Sequence, residues 1–351
     1  MAIIVFMFFM LLIIVNIRKS KESELSTLMR ILTNYLQLLS TSLSFNVQYP
    51  RSFTDMFYPV ERVGSSSDTF LSFDCFVTDY EITGPFPSNT FFKLFLMALL
   101  PIILFIIISI IWIILRLING KWIPDLKRNI VISFISIIFL LHPNLTKNSL
   151  SIFQCVEIDE GINKVRIYTE MDCFNSEHIS WCFILGFPIL VIWVIFAPVF
   201  ALVILAKNIK KDDDNKIKQY MMILYQGLKP DRYYWEFVNT LLTSFSLLIT
   251  YRSVYRIMIA VIILITTFRV QTYLNPYKNN KYNQAETLAM LSGSLTLLSG
   301  VVFTSKDDQN TILNVLILIF IVVFNISFIF RWLYLLILCL SERYKVFKYM
   351  I

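Results

Sequence analysis

Residues 91–118 read FFKLFLMALLPIILFIIISIIWIILRLI, and this stretch decides the fold. It is longer than the ~20 residues that cross a hydrocarbon layer about 30 Å thick. Its only charges, Lys93 and Arg116, sit near its ends. Two more runs match it, Ile179–Ala206 and Thr311–Leu340. A soluble core has no room for three such runs, and the Lys/Arg clusters that follow them need water. The chain therefore reads as a polytopic membrane protein.

Working outward, the composition agrees. Hydrophobic residues make up 57% of the chain and charged residues 16%, against about 25% charged in a soluble domain. Inside a bilayer every backbone polar group must be satisfied by the chain itself, so helices or a closed barrel are the choices. A barrel needs alternating runs of ~10 residues, and none occurs. The expected fold is all-α, a single transmembrane domain over residues 1–351.

Nine membrane-embedded helices are expected: Ala2–Ile17, Leu25–Phe45, Phe91–Ile118, Asn129–Phe153, Ile179–Ala206, Tyr234–Tyr251, Val254–Tyr273, Ala285–Thr304 and Thr311–Leu340. The count is eight if Leu25–Phe45, which carries Arg30, Asn34 and Gln37, lies flat at the interface instead of inside the bundle. The first segment lacks a basic start and an Ala-x-Ala exit, so it reads as a retained helix and not a signal peptide.

Basic residues set the orientation. With the N-terminus outside and the C-terminus in the cytoplasm, the inner connections hold twenty Lys and Arg and the outer ones seven. The net charge of +7 is thus a topology signal and not a nucleic-acid footprint. The two long outer loops, 46–90 and 154–180, are both acidic. Of the five cysteines, Cys155 and Cys173 share the second outer loop and are the favoured disulfide, because the loop between them is short. Cys75 with either of them is the rival pairing. No CxxC occurs and His142 and His178 lie far apart, so no zinc site or other cofactor is expected.

Polar residues at membrane depth mark functional candidates. His142, Pro143, Asn144 and Lys147 interrupt the fourth span. Pro143 removes a backbone hydrogen bond, and the reading is a kinked span that lines a gate or a hydrated path. The bland alternative ends the helix near Leu141. The cytoplasmic linker 207–233 carries a coupling element built on Gly227, Pro230, Arg232, Tyr233, Tyr234, Trp235 and Glu236. Its aromatics suit an interfacial belt. Glu236 is expected to pair with Arg232, four residues earlier. Arg252, Arg256 and Arg269 are candidates for lipid phosphates or for pairing with acidic loops. Arginine at every third residue, the voltage-sensor pattern, is absent. Glu286 reads as a residue placed to suit a helix dipole. Gly293 and Gly300, with Ser292, Ser294 and Ser299, give small faces for close helix packing. No motif of an enzyme is present.

Four stretches carry a family resemblance: SLSFNVQYP with LSFDC, LLHPN with CVEIDE, QYMMILYQGLKPDRYYWEFV, and LNPYKNNKYNQAETLAMLSGSLTLLSGVVF. Together they resemble multipass membrane proteins of ciliates and related protists. The membrane region of those proteins is similar to the transient-receptor-potential/polycystin domain and often follows a cysteine-rich or EGF-like ectodomain. The segment Tyr225–Val238 is the most specific piece. The resemblance implies a cation channel or channel subunit in the plasma or ciliary membrane, working with lipid, inorganic cations and further copies or other subunits. A receptor-like scaffold or a structural subunit without permeation is the alternative. The chain departs from the channel pattern where a pore loop belongs, since its last connection is only Thr304–Thr311.

Overall fold

The computed structural model describes residues 24–43, 86–118, 125–159, 161–210, 220–240, 253–304 and 311–343. They are 82% helical. Four helices are long and apolar enough to cross a membrane: Asn89–Ile118, Leu126–Ser151, Ser176–Asn208 and Ile312–Ser341. The chain is a helical membrane protein on that ground.

The described residues fall into two compact units. The first contains α2 (Asn89–Ile118), α3 (Leu126–Ser151), strands β1 (Cys155–Asp159), β2 (Ile162–Val165) and β3 (Tyr168–Asp172), and α4 (Ser176–Asn208). The second contains α1 (Glu24–Leu43), the segment 222–240, α5 (Ser253–Leu274), α6 (Asn280–Thr304) and α7 (Thr311–Arg343).

In the first unit α3 is the inner helix. It buries Ile132, Ile137 and Leu141 together with Ser133, His142, Asn144, Thr146 and Ser149. Its hydroxyls return to the backbone three or four residues back, as Ser133 does to Asn129, Thr146 to His142 and Ser149 to Thr146. This is how a helix with so many polar side chains satisfies them without water. By contrast α2 leaves Ile102, Ile106, Ile110 and Ile114 exposed, as a face against lipid tails does. The helix runs unbroken through Pro143.

The fourth helix has prolines at 188 and 198. Proline cannot donate to the carbonyl four residues before it. The helix widens to i→i+5 turns just ahead of each, over Cys182–Gly186 and Leu190–Phe196. Both widenings thus have a local covalent cause.

Between α3 and α4 the chain forms an antiparallel sheet, ordered β1-β2-β3. The register pairs Cys155 with Val165, Val156 with Lys164 and Glu157 with Asn163, then shifts between Glu157 and Asp159. This element is absent from the all-α expectation, which left 154–180 as loop. A disulfide joins Cys155 to Cys173, with Cα atoms 6.0 Å apart. Beneath the sheet Phe91, Ile152, Val165, Met171 and Leu185 share one core. Gly186 lets α4 approach it: a Cβ there would lie 2.8 Å from the Phe153 ring.

In the second unit α1 is buried on the side of Leu28, Ile31, Tyr35 and Leu39. It packs against α6, where Gly293 leaves room for the Leu38 side chain. One face of this helix is thus buried against the rest of the unit. Among the described residues α1 and α6 are not counted with the four apolar spans, and α5 contributes a shorter apolar stretch, Met258–Leu274. The expected helix Ala2–Ile17 and most of Tyr234–Tyr251 lie outside the described residues.

Candidate functional site

Five polar side chains converge inside the second unit. Arg30 comes from α1, and its Nε lies 3.3 Å from Glu236 Oε2. The same guanidinium donates to the carbonyl of Gln226 at 2.8 Å and reaches that of Leu224 at 3.5 Å. One turn along α1, Asn34 Nδ2 donates to Glu236 Oε1 at 3.2 Å and to Glu286 Oε1 at 3.5 Å. One amide nitrogen thus bridges two carboxylates. Tyr277 completes the set: its hydroxyl donates to Glu286 Oε2 at 3.5 Å, and Arg30 lies 5.7 Å from its ring centre. Glu236 and Glu286 are 2% and 1% exposed. Tyr277, in the α5–α6 connection, is fully buried, and burial pushes its hydroxyl well above the ordinary phenol range. It is therefore a donor at neutral pH.

The local backbone explains the convergence. Gly227 takes φ +78°, and an added Cβ would strike the Thr27 side chain. Only glycine suits that turn. Leu228 then bridges to Tyr277, Lys229 N–H donates to the Pro276 carbonyl and Lys278 N–H to the Gly227 carbonyl. Pro230–Arg232 forms one tight turn, and a helix opens at Trp235, which is fully buried. Glu236 is thereby aimed at α1.

The expected partner of Glu236 was Arg232, and the structure corrects this. Arg232 meets Asp231 at 3.2 Å and the Tyr234 hydroxyl at 3.2 Å. The helical i, i+4 spacing does not apply there, because Pro230–Tyr233 is a turn and helix begins only at Trp235. Glu286 is likewise more than a dipole-favoured end residue. Helix α6 starts at Asn280, so Glu286 lies nearly two turns in. Tyr233 and Tyr234 stack edge to face, 5.8 Å between centres, and are partly exposed, as belt residues are.

Arg331 of α7 donates to Gln284 at 2.8 Å, just before Glu286. A second polar layer ties the same helices together. Tyr35 donates to Asn325 Oδ1 at 2.7 Å, and Asn325 Nδ2 donates to Thr296 at 3.1 Å. Three helices, α1, α6 and α7, are clamped there.

The remaining candidates lie elsewhere. His142 is buried in the first unit, and its Nε2 lies 3.1 Å from the Val194 carbonyl. That carbonyl is the one Pro198 cannot serve, so the histidine supplies the missing donor. Pro143 stays within α3, Asn144 is buried, and Lys147 is half-buried. These four belong to the first unit, and the Arg30 cluster belongs to the second. His178 caps the end of α3 in the same manner, Nε2 to the Ile152 carbonyl at 2.8 Å, while its Nδ1 accepts from Phe174 N–H. Arg269 is exposed. Arg252 lies outside the described residues, as does the side chain of Arg256. Among the described residues no group of three or more His, Cys, Asp or Glu is placed to hold a metal.

Sequence reading missed the role of Arg30, Asn34, Tyr277 and Glu286. The available signal was the pairing of an arginine in one apolar helix with glutamates in two others. Comparisons with protein-family models, with curated proteins and with solved structures find no match to this chain.

Proposed function

We propose that this protein is a subunit of a cation channel resembling the transient-receptor-potential/polycystin membrane domain. In this reading nine helices span the plasma or ciliary membrane, with the N-terminus outside and the C-terminus in the cytoplasm. The observation that carries it is Arg30. One side chain of a membrane helix holds both the carboxylate of Glu236 and the backbone of the 224–226 turn. Any displacement of that connecting segment is transmitted to α1, and through Asn34 to α6. Charged groups at membrane depth are costly, so a cluster of three is kept for a function. Acidic outer loops raise the local cation concentration.

The second reading is a receptor-like scaffold or structural subunit without permeation. The Thr304–Thr311 connection favours it, since six intervening residues are too few for a re-entrant filter.

The test is reconstitution of purified protein in planar bilayers under sodium and potassium gradients. Cation-selective steps whose open probability changes in Glu236→Gln support the channel. Bilayers silent across voltage, pH and calcium, with correctly folded protein present, refute it and leave the scaffold.

A further inference from the structure

The disulfide-closed sheet β1–β3 has an apolar tip set in acid. Ile158 and Ile162 flank the turn and are 59% and 47% exposed. The register shift between Glu157 and Asp159 leaves Ile158 out of the pairing, and such a bulge re-aims a side chain. Glu157 and Asp159, on either side of Ile158, are exposed, as are Glu170 and Glu177 elsewhere on the module. The basic residues of the module are already engaged. Lys164 meets Asp172 at 2.6 Å, and Arg166 donates to Gln154 at 3.0 Å. The module therefore presents negative charge around exposed isoleucine. Both β1 and β3 pair only with β2 among the described residues, so each has an outer edge able to take another strand.

The occupant follows from charge. By sequence the other long loop of the same side, 46–90, carries six acids against two arginines. It repels this surface, and so does the same module on a second copy. A lipid tail is excluded by the acids that flank Ile158 and Ile162. We infer that the β1–β3 module docks an extended, lysine- or arginine-bearing segment of a different protein, whose apolar side chains alternate with its basic ones. Strand addition supplies main-chain hydrogen bonds, alternate side chains meet the isoleucines, and the basic ones meet the carboxylates.

The inference does not depend on conduction. The full chain, in nanodiscs of uncharged lipid, is titrated with a fluorescent decapeptide of alternating Lys and Val, read by anisotropy. A Lys–Ser decapeptide of equal charge and a Glu–Val decapeptide are the controls. Lys–Val binds more tightly than Lys–Ser, and Glu–Val does not bind. Ile158→Ser with Ile162→Ser weakens Lys–Val about tenfold, because docking newly buries about half of each side chain, together about one full aliphatic side chain. Glu157→Gln with Glu170→Gln weakens it similarly and flattens its salt dependence. An intact Cys155–Cys173 bridge, checked by mass spectrometry, shows that each variant is folded. Equal binding of Lys–Val and Lys–Ser, or no effect of the isoleucine changes, overturns the proposal, because diffuse charge attraction then accounts for everything. Calcium binding to the module without peptide binding overturns it too. Silent bilayers alongside tight peptide binding would remove the channel and leave this docking surface standing.

Discussion

Replacing Arg30 with methionine is the sharpest perturbation of the second unit. Methionine keeps much of the volume of the side chain and removes its charge and its donors. Three losses follow. Glu236 loses its ion pair at 3.3 Å while 2% exposed. Breaking a buried pair from one side costs about 3–5 kcal/mol. The Gln226 carbonyl loses a 2.8 Å hydrogen bond, worth about 1–3 kcal/mol if nothing replaces it. Glu286, bridged to Glu236 through Asn34, then faces a second carboxylate with no cation between them. The reciprocal change, Glu236→Gln, is milder. Gln keeps the acceptor for Asn34, and Arg30 still has Glu286 in its field. We expect a loss of about 1–2 kcal/mol for it. The ordering Arg30→Met well above Glu236→Gln comes from one guanidinium serving two acids. The assay is reversible unfolding in mixed micelles, followed by tryptophan fluorescence; Trp235 is adjacent to Glu236 and Trp332 donates to the Leu28 carbonyl of α1. The double variant Arg30→Met with Glu236→Gln should be more stable than Arg30→Met alone. Equal, small losses for both single variants would falsify the shared-cation arrangement.

Four other outcomes are expected. Gly293→Val forces α1 and α6 apart at Leu38 and lowers stability by about 1–3 kcal/mol, whereas the same change at an exposed position of α7 is neutral in the same unfolding assay. His142→Phe leaves the Val194 carbonyl without its donor and costs about 1–3 kcal/mol, while His142→Gln recovers part of it. Gln271 is fully buried, and neither amide atom has a hydrogen-bond partner among the described residues, so Gln271→Leu should hold or raise stability; a clear loss would show that the amide serves a bound group. In the β1–β3 sheet, the Tyr168 hydroxyl donates to Glu170 Oε2 at 2.6 Å, and that hydrogen bond raises its titration above the ordinary phenol value. The folded form binds this proton more tightly, so the contribution is present below pH ~10 and is lost as pH rises through the raised value. Glu170→Gln should bring the Tyr168 titration down when followed by NMR.

How much of this was legible in the sequence depends on the range of each interaction. The runs 91–118, 179–206 and 311–340 announced α2, α4 and α7, because hydrocarbon length and backbone satisfaction act on each segment alone. Gly227 and Pro230 announced a turn for the same local reason, and the four-residue break at Pro230–Tyr233 is what misled the Arg232–Glu236 pairing. Pro143 left open whether the helix ends near Leu141 or runs on, and α3 continues past it to Ser151. The effect of Pro198 was not foreseen: its missing donor is replaced by a histidine 56 residues earlier in the chain. The sheet β1–β3 was hidden because its strands are four or five residues long and mostly exposed, which leaves little alternation to read.

From sequence alone come the membrane class, the helical backbone and the acidic character of both long loops, because each is a property of composition or of one segment's own length. Which carboxylate meets Arg30, which carbonyl meets His142, and which glycine admits Leu38 were decided only when the helices packed. Those contacts join residues from 52 to more than 200 positions apart, and nothing in a single helix's periodicity carries the identity of a partner on another.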